Sequence, residues 1–134
     1  MSRGLSNCNP GNIRRSATRF QGEVRPSRDP AFKQFSSLAW GYRAIFVLLN
    51  TYWRKYGLRT PREVITRWAP PSENHTENYI CAVCARTGFA PDQVLDTGRK
   101  EDMVPLAAAI SWVENGVAAD EKALQAGWVL FTRG

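Results

Sequence analysis

Glu114 follows the apolar run Leu106-Ala-Ala-Ala-Ile-Ser-Trp-Val113 and is succeeded at once by Asn115-Gly116. Asn-Gly ends helices, so the sequence places a carboxylate at the negative end of a helix dipole, beside Trp112 and Val113. Dipole and apolar neighbours both disfavour the ionised form, which is the demand on a general acid. The competing reading is a solvated, exposed Glu that merely ends the helix. A second carboxylate, Glu23, lies in Phe20-Gln-Gly-Glu-Val24, where strand alternation sets it on the face opposite Val24. Glycosidic hydrolysis needs an acid and a base or nucleophile flanking one sugar, and a helix end facing a hairpin can present that pair. A hairpin Glu is also commonly just a solvated side chain.

The segment Arg67 to Tyr79 mixes aromatic, hydroxyl, amide and carboxylate groups between two helices. Trp68 and Tyr79 could stack on sugar faces while Glu73, Asn74 and Thr76 bond sugar hydroxyls. Alternatively Trp68 and Tyr79 belong to the core and Thr76 is a helix N-cap. Cys8, His75, Cys81 and Cys84 contain the atoms of a Cys3His zinc site, but Cys81 and Cys84 share one helical turn without a knuckle, so no metal and no cofactor is expected. Small buried thiols are the simpler reading. A Cys8/His75 amidase-like dyad is a minor alternative.

Several elements must position these groups. Residues 3 to 16 are dense in Asn, Gly and Pro and read as an ordered loop. Ile13–Arg15 and Phe20–Val24 read as a short hairpin, with a turn at Pro26 to Pro30. A helix follows from an N-cap at Ser36 or Ser37 through Leu38, Tyr42, Ile45, Leu49, Tyr52 and Tyr56, stopped by Gly57. Thr60-Pro61-Arg62-Glu63 is a capping-box start for a helix to Trp68, and Thr76 opens another that closes at Gly88. Ala90 to Leu95 can add a short turn. The Glu114 helix is expected from about Asp102, with Pro105 tolerable only in its first turn, and a last helix starts near Asp120.

The chain has 134 residues, 43% of them hydrophobic, with five Trp and a net charge of +6. This suits one domain spanning residues 1–134, taken as a monomer. No apolar run is long enough for a membrane span, and Met1-Ser2-Arg3-Gly4 is unlike a signal peptide, so synthesis in the cytoplasm without membrane insertion is expected. The charge calls for an anionic partner such as the cell wall. Lys and Arg are dispersed rather than clustered, which weighs against nucleic acid.

Arg3-Gly4-Leu5-Ser6-Asn7-Cys8-Asn9-Pro10-Gly11-Asn12-Ile13-Arg14, with Gly22-Glu23, Gly41-Tyr42-Arg43-Ala44, Arg67-Trp68-Ala69-Pro70 and Glu114-Asn115-Gly116, resembles a family of small bacteriophage and prophage proteins. These are often labelled virion structural proteins and look lysozyme-like. Cys8 stands where that family tends to carry Asn, and Phe20 where Trp is usual. More distantly, Asn9 to Arg14 resembles the Asn-Leu-Phe-Gly-Ile-Lys stretch of flagellar-type glucosaminidases, which follows a helix ending in the catalytic Glu. Because Glu114 lies near the C-terminus, that resemblance requires a circular permutation.

The resemblance implies a mainly α (α+β), lysozyme-like helical domain with a small N-terminal β-hairpin. The implied activity is hydrolysis of a β-1,4 bond in bacterial peptidoglycan, outside the cytoplasm, after phage virion or lysis delivery. Glu114 and Glu23 would be catalytic, and Glu73, Asn74, Thr76, Tyr79, Trp68, Asn12 and Asn9 would bind substrate. The alternative is an inactive virion or wall-binding module of the same fold.

Overall fold

The computed structural model describes residues 1–134. It is mainly helical, with six helices making up 53% of the chain and one small two-stranded antiparallel sheet. The order is α1 (Arg3–Ser6), β1 (Glu23–Val24), β2 (Gln34–Phe35), α2 (Leu38–Tyr56), α3 (Pro61–Trp68), α4 (Thr76–Thr87), α5 (Lys100–Asn115) and α6 (Glu121–Thr132).

Local signals set most helix ends. The Ser37 side chain caps α2, and Gly57 closes it in the left-handed conformation. Thr60 and Glu63 form the reciprocal capping box of α3. Residue His75, not Thr76, occupies the N-cap of α4, and its side chain makes no capping bond. The Thr76 hydroxyl instead donates to the Ala69 carbonyl and ties off the intervening loop. Helix α5 begins at Lys100, so Pro105 lies inside it rather than in its first turn. Its ring displaces a hydrogen bond to the carbonyl of Glu101, an exposed residue, so water can satisfy that group.

Two features of the N-terminal third differ from expectation. Residues 3–6 form one helical turn, with the Ser2 hydroxyl accepting from the Leu5 N–H. The Phe20–Val24 segment pairs not with Ile13–Arg15 but with β2, in the register Glu23 to Phe35 and Val24 to Gln34. Ile13–Arg15 flanks the same 31–35 segment, through a bridge from Arg14 to Phe32 and bonds from Lys33 and Arg15 N–H groups. Asn9 makes this arrangement: wholly buried, it donates to the Ile13 and Lys33 carbonyls and accepts from the Ile13 N–H.

The main core joins α2, α3, α4, α5 and α6 through residues such as Tyr42, Ile45, Ile65, Ile80, Leu106, Ile110 and Trp128. A smaller cluster of Ile13, Phe20, Phe35 and Ala44 holds the N-terminal segment to α2. Gly41 permits this contact, because a Cβ there would collide with the Cys8 carbonyl. Cys8 itself has φ 52°, a left-handed conformation that Asn adopts more readily than Cys. Among the thiols, Cys81 is exposed rather than buried, and Cys8 and Cys84 are half-buried. No helix is long and apolar enough to cross a membrane.

Candidate functional site

The C-terminus of α5 and the N-terminal segment form one unit. The Ser2 hydroxyl donates to Asn115 Oδ1 at 2.7 Å, and Asn115 Nδ2 donates to the Pro10 carbonyl and the Ser111 carbonyl, each at 2.8 Å. One turn earlier, Ser111 bonds the Tyr42 hydroxyl at 2.9 Å and fixes α5 to α2. Gly4 lies against this junction: an added Cβ would stand 2.6 Å from Asn115 Oδ1, 2.7 Å from Asn12 Oδ1 and 2.8 Å from the Asn9 carbonyl oxygen. A side chain there would force the N-terminal turn off the end of α5.

Glu114 is half-buried at this junction rather than exposed. Asn12 Nδ2 donates to Oε1 at 2.8 Å, and the Tyr79 hydroxyl donates to Oε2 at 2.9 Å. Residues 12, 79 and 114 thus converge from the N-terminal segment, α4 and α5. Burial, with Glu114 adding to it, pushes the Tyr79 phenol well above its ordinary value, so Tyr79 remains a donor across the physiological range. Asn12 holds its position at φ 49°, in the left-handed region, and its Oδ1 is buried without a partner. The left-handed region is one that Asn adopts readily, but a buried polar atom without a partner calls for an explanation, and a ligand at this site is one.

Glu114 and Asn12 line a cavity of about 450 Å³, within the range of small-ligand sites. Trp68, Glu73 and Asn74 line it too, together with Tyr52 and Phe32. Tyr52 and Trp68 meet edge to face at 6.2 Å. The Arg67 guanidinium, another lining group, sits 3.9 Å from the Tyr56 ring centroid. The result is an aromatic wall facing amides and two carboxylates, with basic groups at its rim.

Glu23 does not join this cavity. Its side chain is 4% exposed and forms ion pairs with Lys33 at 3.0 Å and Arg25 at 2.7 Å. Burial alone would raise its pKa, but hydrogen bonds from Arg25, the Phe20 N–H and Lys33 outweigh burial and hold it below its ordinary value. A carboxylate so neutralised is not free to act as base or nucleophile at the Glu114 cavity, and it faces a separate polar hollow with Arg15 and Ser27.

The chain is 39% identical over 118 residues to Protein P5 of Pseudoalteromonas phage PM2, an alignment spanning 86% of this chain and 72% of that protein. The chain belongs to the Protein P5 family of phage proteins. No protein-family model matches the sequence.

Of the residues expected to bind substrate in this P5-family chain, Trp68, Glu73, Asn74 and Asn12 share the Glu114 cavity. The other three do not line it. Asn9 is wholly enclosed, with its side chain spent on the 13–33 connection, and Thr76 is buried with its hydroxyl on Ala69. Tyr79 is buried behind the carboxylate and positions Glu114 rather than lining the groove. Cys8 packs beside the smaller core cluster while His75 lines a different hollow with Thr66 and Pro71, so the dyad is not assembled. Sequence reasoning did not single out Tyr52 and Arg67 as site residues: Tyr52 was read only as part of the apolar stripe of α2, and Arg67 only as the start of the Arg67 to Tyr79 segment.

Proposed function

We propose that this chain is a peptidoglycan glycan-strand hydrolase in which Glu114 is the general acid. The observation that carries this reading is the Glu114 carboxyl group, held through both oxygens by Asn12 and Tyr79 at the edge of a cavity of about 450 Å³. Trp68 and Tyr52 offer flat apolar faces to sugar rings, while Asn74 and Asn12 offer amides to hydroxyl groups. As general acid, Glu114 gives a proton to the glycosidic oxygen as the bond to the anomeric carbon breaks; water then adds its oxygen to that carbon. Glu73 is the other carboxylate on the cavity and takes the water's proton, the role its buried ion pairs deny to Glu23. The phage membership agrees with delivery to a bacterial wall, and Arg14 and Arg67 on the cavity draw anionic wall polymer.

A second reading, a virion or wall-binding module without activity, is favoured by one observation. Glu73 is exposed and its carboxylate makes no hydrogen bond that would fix it opposite Glu114. Turbidity loss and fragment analysis on purified peptidoglycan separate the two. Cleavage that Glu114→Gln abolishes supports the hydrolase, whereas wall binding without fragment release by the wild type supports the module.

A further inference from the structure

The Gly41-Tyr42-Arg43-Ala44 motif contains a cation that the Glu114 site does not use. Arg43 is 8% exposed, its Nε is buried without a hydrogen-bond partner, and none of the ion pairs includes it. Its only charge-compensating neighbour is the Trp40 ring, with the guanidinium carbon 5.8 Å from the centroid. Burial lowers its pKa and no acidic group offsets the effect. A guanidinium in a protein keeps its charge, so the fold holds a desolvated cation with donors to spare.

Arg43 lines a cavity of about 560 Å³. One wall is α2, where Arg43, Val47, Thr51 and Lys55 follow at four-residue intervals and so share a face. The opposite wall includes Ser16, Thr18 and Arg19. Neither the exposed Arg19 nor Lys55 has an ion-pair partner, and no Asp or Glu lines the cavity. The nearby carboxylate of Glu23 is already taken by Lys33 and Arg25.

We propose that this cavity is a phosphate-binding site, with Arg43 at its floor and Arg19 and Lys55 at its mouth. Three unpaired cations favour a dianionic phosphate over a singly charged carboxylate or phosphodiester, and the planar Arg43 fork can donate to two of its oxygens. The hydroxyls of Ser16 and Thr18 add neutral donors. Ile13 and Leu48 line both this cavity and that of Glu114, so the two sites adjoin across those side chains. The assignment does not depend on Glu114 being catalytic.

The test is titration of the full chain with inorganic phosphate at low ionic strength, followed by amide chemical shifts, with dimethyl phosphate and acetate as comparison anions. Inorganic phosphate should saturate in the low-millimolar range and shift residues 16–20 and 43–55. Arg43→Gln should weaken it about tenfold, the loss expected for one charge-assisted bidentate contact. Because a buried change can disturb folding, the exposed pair Arg19→Ser/Lys55→Ser supplies a second test and should weaken binding several-fold, while Lys122→Ser leaves it unchanged. Non-saturating shifts, equal binding of acetate or dimethyl phosphate, or wild-type affinity in Arg19→Ser/Lys55→Ser would overturn the proposal.

Discussion

Tyr79→Phe removes one hydroxyl and leaves the rest of the buried ring in place. That hydroxyl donates to Glu114 Oε2 at 2.9 Å, from a residue 8% exposed. A hydrogen bond to a charged group contributes about 1.5–3 kcal/mol, and the half-buried acceptor can recover part of this from water, which leaves about 1–2 kcal/mol. For a chain of this length that corresponds to a fall in Tm of roughly 3–8 °C. The assay is urea denaturation of wild type, Tyr79→Phe, Glu114→Ala and the double variant. A coupling energy of about 1 kcal/mol or more between the sites is expected, because each single change deletes the same contact. Strict additivity would refute the placement of Tyr79 as the residue that orients Glu114.

Glu23→Gln should cost about 3–5 kcal/mol in denaturant titration, because it strands the 1%-exposed Lys33 ammonium, and a loss below 1 kcal/mol would contradict the buried pair. Acid should unfold the protein through Asp29 and Glu23. Arg3 above all holds Asp29 far below its ordinary 3.8, with help from the Ala31 and Phe32 N–H groups and Asn7, and the bonded Glu23 lies below its ordinary 4.5. Depressed folded values contribute stability that is full above the unfolded values and lost as pH falls through the folded ones, so unfolding free energy should be level near neutrality and decline below about pH 4.5. Gly4→Ala should lose about 1–3 kcal/mol and shift the resonances of Asn12 and Asn115, whose oxygens the new methyl would crowd. Cys8→Asn should gain up to about 1 kcal/mol, since Asn relieves the left-handed φ of 52°.

The helices were legible where the determinants are local. The Ser37 cap and Gly57 stop bracket α2, and the Thr60/Glu63 box starts α3. The sheet was not, because strands of two residues carry no readable alternation, and Asn9, with bonds spanning up to 24 positions, ties residue 13 to residue 33 in place of the expected hairpin. Glu23 looked like a free hairpin carboxylate because its buried partner, Lys33, is ten residues away on another segment. Glu114 was readable as a charge at the end of an apolar helix. Its two donors were not, since Asn12 and Tyr79 lie 102 and 35 positions away and meet it only through folding. The Asn-rich segment meets the end of α5 through bonds between Asn12 and Glu114 and between Asn115 and Pro10, contacts that no local pattern announces, while the hairpin carboxylate Glu23 lies outside that cleft.

The central claim is that Glu114 supplies the proton for glycosidic cleavage, and it is tested most directly by the initial rate of reducing-end release from purified peptidoglycan. The rate for Glu114→Gln should fall about 100- to 10,000-fold below wild type, the usual worth of a general acid. Glu23→Gln, assayed below its lowered Tm, should keep a rate within a few-fold of wild type. Undiminished release by Glu114→Gln, with Glu23→Gln inactive while folded, would contradict the account.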